Sequence, residues 1–293
     1  MLRLSEVAVG QTPRAWRVAA VQMTSTDDRE RNLGIAEYLA RRAVDAGSSL
    51  VAFPEYFSLL PAEGSPLRHA EPLEGPLTRW LRNLATELDT YLLAGSFLEK
   101  NPRGRRVRCT SVLVGPTGEI LAAYRKLHLF DARPDGREAV FESRTTTAGE
   151  RPVTVDTPLG RLGLSVSYDL RFPELYRHLA LDGAQVLFVP SAFTEYTGRH
   201  HWLPLLRARA IENQCWVVAP AQAGRHNARR VSHGHTAVID PWGDVVALLE
   251  SGEGVISAEI DFGKLDGIRA SLPCLEHARP DLLGRETRRR ERS

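Results

Sequence analysis

The sequence predicts an α/β fold, on three observations. Strand-like and helix-like segments alternate along the chain, which is the pattern of that class. The strand-like runs are apolar on nearly every residue, as strands covered on both faces are. No low-complexity linker divides the 293 residues and no short repeat period appears, so one domain with two similar halves accounts for the length. These features together describe helices lying outside a buried pair of sheets.

Each element follows in order. Arg17 to Met23 (RVAAVQM) is a short apolar strand. Asp27 and Asp28 then precede a helix from Arg31 to Ala46, with Leu33, Ala36, Leu39, Ala40 and Ala43 at helical spacing. Ser49 to Phe53 forms the next strand and Pro54 stops it. Leu77 to Leu88 reads as a helix and Tyr91 to Phe97 as a strand. Ser111 to Val114 and Ile120 to Tyr124 flank Gly115-Pro116-Thr117-Gly118, a hairpin turn. In the second half, Arg161 to Ser167 is a strand, Phe172 to Asp182 a helix opened by Pro173, and Val186 to Val189 a strand. Trp202 to Asn213 is helical and Trp216 to Ala219 extended. Thr236 to Asp240 and Val245 to Leu249 form a second hairpin around Pro241-Trp242-Gly243.

Composition narrows the function classes. The 38 Lys+Arg against 36 Asp+Glu give +2, but Arg285 to Ser293 holds five Arg and two Glu, leaving about −1 (2 − 3) for the rest. A nearly neutral body offers no electrostatic case for nucleic acid, and the basic end reads as a solvated tail. Cys109, Cys215 and Cys274 lie far apart without CxxC spacing, which argues against a disulfide framework or a structural zinc site. The first 16 residues lack a long apolar run and meet Glu6 early, so no signal peptide is expected. No stretch approaches the roughly 20 apolar residues of a membrane helix. The expectation is a cytoplasmic protein without membrane or nucleic-acid partners.

Three residues capable of chemistry stand where strands end. Glu55 follows SLVAF in the run FPEYF, Lys126 follows ILAAY in YRKLHLF, and Ser167 closes GLSVS before YDLRFPEL. Strand ends meeting in a crevice are where α/β proteins gather ligands and catalysis. Taken singly, each has a plain structural reading: Glu55 and Lys126 as an ion pair, and Ser167 as the lead into a helix.

Taken together, these runs resemble the signatures of the carbon–nitrogen hydrolases of the nitrilase superfamily. Further matches follow in order: PSAF at Pro190 to Phe193, TGRHHW at Thr197 to Trp202, RARAIENQC at Arg207 to Cys215, then GRHNARRVSHGH, VIDPWG and LPCLEHARPDL. The resemblance spans about Arg17 to Gly284, with 1–16 as an N-terminal extension and 285–293 as a basic tail. The GRHN and DPWG segments are most similar to the Nit branch, whose members include deaminated glutathione amidase. The resemblance implies a four-layer α-β-β-α sandwich and a cofactor-free amidase acting on a small carboxylate-bearing amide. It also implies a homodimer or dimer of dimers, paired through the helices Phe172 to Asp182 and Trp202 to Asn213. In the implied mechanism Glu55 is the general base and Lys126 stabilises the oxyanion with the backbone N–H of Tyr168. Glu142, in VFESRT, matches a second glutamate that holds the lysine and orients the substrate; its structural reading is a surface acid.

The departure from the pattern is at the nucleophile, where the family has Cys and this chain has Ser167. An alcohol is far less acidic than a thiol of pKa about 8.5, and the nucleophilicity of sulfur is lost as well. A deliberate Cys-to-Ser trap and a natural variant of weak or absent activity both fit. Arg171 is suited to clamp a substrate carboxylate, with a salt bridge to Glu174 or Asp169 as the alternative. Phe193, Thr194 and Thr197 fall on the loop after VLFV and could line the pocket. His200 and His201 have no carboxylate at ligand spacing, so no metal is expected there, and Trp202 and Trp242 read as packing residues. Two other functions remain open: an N-carbamoyl amino acid amidohydrolase, and a catalytically inactive binding protein.

Overall fold

The computed structural model describes residues 13–61, 66–133 and 139–279. The first half runs β1 (Ala15–Gln22), α1 (Arg29–Asp45), β2 (Leu50–Ala52), α2 (Pro76–Leu88), β3 (Tyr91–Glu99), β4 (Arg108–Val114) and β5 (Ile120–Arg125). A two-stranded ribbon, β6 (Asp131–Ala132) with β7 (Val140–Phe141), leads to β8 (Val153–Thr157), β9 (Gly160–Leu164), α3 (Pro173–Leu181) and β10 (Val186–Phe188). Then come α4 (Glu195–Asn213), β11 (Trp216–Ala219), a ribbon of β12 (Ala223–Arg225) with β13 (Val231–His233), β14 (Thr236–Ile239), β15 (Val245–Leu249), β16 (Gly254–Asp261) and α5 (Phe262–Ser271).

The strands form two six-stranded sheets, ordered β16-β1-β2-β3-β4-β5 and β15-β14-β11-β10-β9-β8. In each, three adjacent strands run parallel (β1-β2-β3 and β9-β10-β11) and the flanking strands are antiparallel. Alternate residues of each strand point to opposite faces, and both faces are covered. Val18 and Ala20 of β1 join Leu50, Leu93, Leu164, Phe188 and Val218 in the core between the sheets. Ala19 and Val21 point the other way and pack with Ala36, Leu39, Leu81 and Leu84 of α1 and α2. On the second sheet, Leu187, Val217 and Ile239 pack outward on Tyr176, Leu179, Trp202 and Leu206 of α3 and α4. The result is the α-β-β-α sandwich, and it explains why the strands carry almost no polar alternation.

Several boundaries differ from the sequence reading. The strand expected to reach Ser167 ends at Leu164, and Ser167–Arg171 forms a 3-10 turn that precedes α3, with Arg171 as its last residue. The helix expected from Trp202 begins at Glu195. Its start carries Gly198, where an added Cβ would fall 2.3 Å from the His233 side chain, so glycine serves close approach there despite its poor helix propensity. Thr194 ends the loop after β10 as the N-cap of this helix, as expected, whereas Thr197 lies within the helix rather than on the loop. The strand expected from Ser111 begins at Arg108, so β4 includes Cys109. Trp202 is fully buried as expected, but Trp242 is 57% exposed at the β14–β15 turn and is not a packing residue within this chain. Residues 1–12 and the tail 285–293 lie outside the described residues, while Ala15 and Trp16, assigned to the N-terminal extension, already belong to β1. Among the described residues no helix is long and apolar enough to cross a membrane.

Candidate active site

Glu55 is positioned by β3 as much as by its own strand. At Gly95 an added Cβ would fall 2.0 Å from the Phe53 carbonyl oxygen and 2.4 Å from Pro54. The missing side chain therefore lets the Phe53–Pro54 backbone lie directly on β3, at an irregularity of the β3–β4 ladder. Immediately after Glu55, Tyr56 takes a left-handed φ of 56° and donates its N–H to Ser96 Oγ at 3.1 Å. The turn this creates aims Glu55 inward, where it is 2% exposed.

Lys126 continues directly from β5 and is 3% exposed. Its Nζ donates to Glu55 Oε1 at 3.1 Å and to Glu142 Oε2 at 2.9 Å. Burial alone would favour the neutral amine, but the Glu142 and Glu55 carboxylates outweigh it and hold the pKa above the ordinary lysine value. The ammonium is therefore the stable form. Glu142 is not a surface acid: Oε2 also accepts the Phe130 N–H at 2.7 Å, and Tyr56 Oη donates to Oε1 at 3.5 Å. The other carboxylate oxygen of Glu55, Oε2, accepts the Ala192 N–H at 2.9 Å.

Ser167 reaches the same strand ends through the second sheet. Its φ is 51°, an uncommon conformation for a residue with a Cβ. Its N–H donates to the Pro190 carbonyl at 2.9 Å, two residues before the Ala192 N–H that holds Glu55. The strained turn is fixed by Asp169, which is fully buried. Asp169 Oδ2 accepts the Val166 N–H at 2.8 Å and Tyr124 Oη at 2.7 Å, while Oδ1 accepts the His128 N–H at 3.0 Å and lies 2.8 Å from His128 Nδ1. This carboxylate ties the turn of Ser167 to the segment following Lys126. Sequence reasoning misses that role, although an acid two residues after the turn-forming serine, beside the apolar Leu170, is a signal for it.

The remaining residues divide. Arg171 makes no ion pair with Glu174, Asp169 or any other carboxylate among the described residues. Its guanidinium lies 5.8 Å from the Tyr168 ring centre and 5.2 Å from that of Phe193, and Nη1 donates to His201 Nδ1 at 3.1 Å. Tyr168 in turn meets Phe130 edge-on at 5.0 Å, so aromatic packing joins the Ser167 turn to the residue that anchors Glu142. Phe193 thus comes to Arg171. Thr194 and Thr197 instead bond one another at 2.8 Å, and the Thr194 hydroxyl accepts the Thr197 N–H at the helix start. Cys109 lies behind Lys126, where burial raises its thiol pKa. Cys215 is likewise buried, its thiol pushed up to about 11. Neither is a ready thiolate.

This arrangement can accept a proton at Glu55, hold a positive charge at Lys126, and present an atom at position 167 to a small electrophile. Comparison with known proteins agrees in scale with the fold. The chain is 44% identical over 268 residues to the deaminated glutathione amidase of Synechocystis, covering 90% of this chain and 98% of that one. The crystal structure of the C. elegans NitFhit protein superposes with a TM-score of 0.86 at 39% identity, over 93% of this chain and 67% of that chain. A mutant of the amidase from Nesterenkonia, which shows covalent addition of the acetamide moiety of fluoroacetamide at the active site cysteine, matches with a TM-score of 0.75 at 25% identity, over 94% and 98% of the two chains. The carbon–nitrogen hydrolase family matches residues 17–270, and the chain belongs to that family, within the nitrilase superfamily.

Proposed function

We propose that this chain is an amidase fold acting on a small carboxylate-bearing amide of the deaminated-glutathione type, with position 167 as the nucleophile's place. The observation that carries the reading is the Lys126 ammonium held between two carboxylates, the buried Glu55 after β2 and the largely buried Glu142 after β7. Glu55 takes the nucleophile's proton and returns it to the departing amine, then activates water to release the acid. Lys126 and the Tyr168 N–H stabilise the developing oxyanion. Glu142 keeps Lys126 aligned, and Arg171, which lacks an acidic partner among the described residues, binds the substrate carboxylate. Phe193 backs that guanidinium; Thr194 and Thr197 contribute to the pocket wall by fixing the start of α4.

Ser167 supplies a hydroxyl where this mechanism needs a thiolate, so the chain as it stands binds the amide and turns it over slowly or not at all. The test is ammonia or amine release from a panel of carboxylate-bearing amides by Ser167→Cys. Burst-phase acylation is expected, with Lys126→Ala in that background costing on the order of a hundredfold in kcat. Rapid hydrolysis by the unmodified Ser167 protein would overturn the thiol-dependent account. Failure of a folded Ser167→Cys on every amide tested favours an inactive binding protein, and release from ureido acids alone favours the N-carbamoyl amidohydrolase.

A further inference from the structure

A second guanidinium faces the site from an element the mechanism leaves unused. Arg230 stands at the tip of the β12–β13 ribbon, just before β13, with its Cζ 5.4 Å from the centre of the Tyr56 ring. Tyr56 directly follows Glu55, and its hydroxyl reaches Glu142. Like Arg171, Arg230 is half-buried and pairs with no carboxylate among the described residues. The two cations are arranged alike: Arg171 rests on Tyr168, the residue after Ser167, and Arg230 on Tyr56, the residue after Glu55. They flank the reacting cluster from its nucleophile side and its base side. A half-buried guanidinium without an anion is costly to keep and well suited to receive one.

The ribbon tip is held in place. Asn227 Oδ1 accepts the N–H groups of Arg229 and Arg230, both at 2.9 Å, and the His226 N–H donates to the Arg230 carbonyl at 3.0 Å. The buried His226 ring sits between the Ser25 carbonyl, 2.8 Å from Nδ1, and Ser232 Oγ, 2.8 Å from Nε2. Arg230 therefore springs from a backbone already fixed against the body of the protein, which lowers the entropic cost of ordering it on a ligand.

We propose that Arg230 is a second carboxylate-binding residue, which holds the anionic group on the leaving-amine side of the scissile bond. The inference rests on the amidase reading above. Glu55 delivers the proton to the departing amine, so the group beside Tyr56 is the leaving group, and Arg230 holds its carboxylate. Arg171, beside the nucleophile's turn, holds the carboxylate of the acyl part.

Binding to the unmodified Ser167 protein tests this without turnover. N-glutarylglycine carries a carboxylate on each side of its amide, and glutaramic acid only the acyl-side one. By isothermal titration calorimetry, Arg230→Ala should weaken N-glutarylglycine tenfold or more and leave glutaramic acid within twofold. Arg230→Lys should recover part of the loss, because a point charge replaces a bidentate fork. Equal weakening of both probes would mean that Arg230 acts only by supporting Tyr56 and Glu142, and would overturn the proposal. So would unchanged binding of N-glutarylglycine in Arg230→Ala. Binding of neither probe to the unmodified protein would instead overturn the amidase reading itself, and the clamp with it.

Discussion

Replacing Asp169 with asparagine alters one atom, yet the hydrogen bonds at this site leave the amide no acceptable orientation. Both carboxylate oxygens accept a backbone N–H, Oδ2 from Val166 and Oδ1 from His128. Whichever oxygen becomes an NH2 group, a buried donor then faces a donor. Tyr124 could rotate its hydroxyl and His128 could change tautomer, but the peptide N–H groups cannot invert. Orphaning one buried N–H costs about 1–3 kcal/mol, and the surviving bonds fall from charge-assisted strength to roughly 1 kcal/mol each, so the sum is about 2–5 kcal/mol. At about 2–3 °C per kcal/mol for a domain of this size, the melting temperature of Asp169→Asn should drop by roughly 5–12 °C. Differential scanning calorimetry measures this, with urea midpoints at constant m as the check. On the proposed function, the same change in the Ser167→Cys background should also lower kcat, because the turn carrying position 167 loses its anchor and small misplacements are costly. A drop under about 2 °C would refute the argument, since it would mean that the site relaxes around the amide.

Two further outcomes are expected. Burial lowers the His226 pKa from 6.5 to about 4. The unfolded chain therefore takes up this proton below about pH 6.5 while the folded one refuses it until about pH 4, and stability falls as pH drops through that window by about 3 kcal/mol in total. His226→Gln should flatten this slope in unfolding free energies measured from about pH 7 to about pH 4.5, and identical slopes would contradict it. The second concerns assembly: Leu181 and Ile211 stand exposed on α3 and α4, which supports a homodimer or dimer of dimers packed through these helices. Sedimentation showing only a 32.5 kDa species at micromolar concentration would rule that out.

What the sequence makes legible follows from the range of the interaction. The helix N-capped by Asp28 and the strand–helix alternation are local, and α1, α2, β1 to β5 and both hairpins fall close to where periodicity puts them. By contrast, β16 is defined by antiparallel pairing with β1 across more than two hundred residues, Ala15 opposite Asp261. Its alternation of Val255, Ser257 and Glu259 with Ile256, Ala258 and Ile260 is only a weak signal. The helix α5 is obscured by Gly263 and Gly267, and begins only because Asp261 accepts the N–H groups of Gly263 and Lys264. Glu55, Lys126, Glu142 and Ser167 can be grouped through their motifs. Asp169, Gly95 and Arg230 cannot, because what each does is set by a partner elsewhere in the chain.

The same partition bears on Ser167. The bonds that hold its left-handed turn run from its N–H to the Pro190 carbonyl and from the Val166 N–H to Asp169, and the turn then continues through Asp169 N–H to the Val166 carbonyl. All of them belong to the backbone or to Asp169 rather than to the Ser167 hydroxyl. The strain of a positive φ at a residue with a Cβ is thus met by neighbours that do not depend on which atom follows that Cβ. Likewise Glu55 is fixed by Ala192 and Lys126, and Lys126 by two carboxylates, with no contribution from position 167. Geometry and nucleophilicity are therefore separable at this site. An oxygen there leaves every one of these bonds in place while lacking the acidity and softness of a thiol.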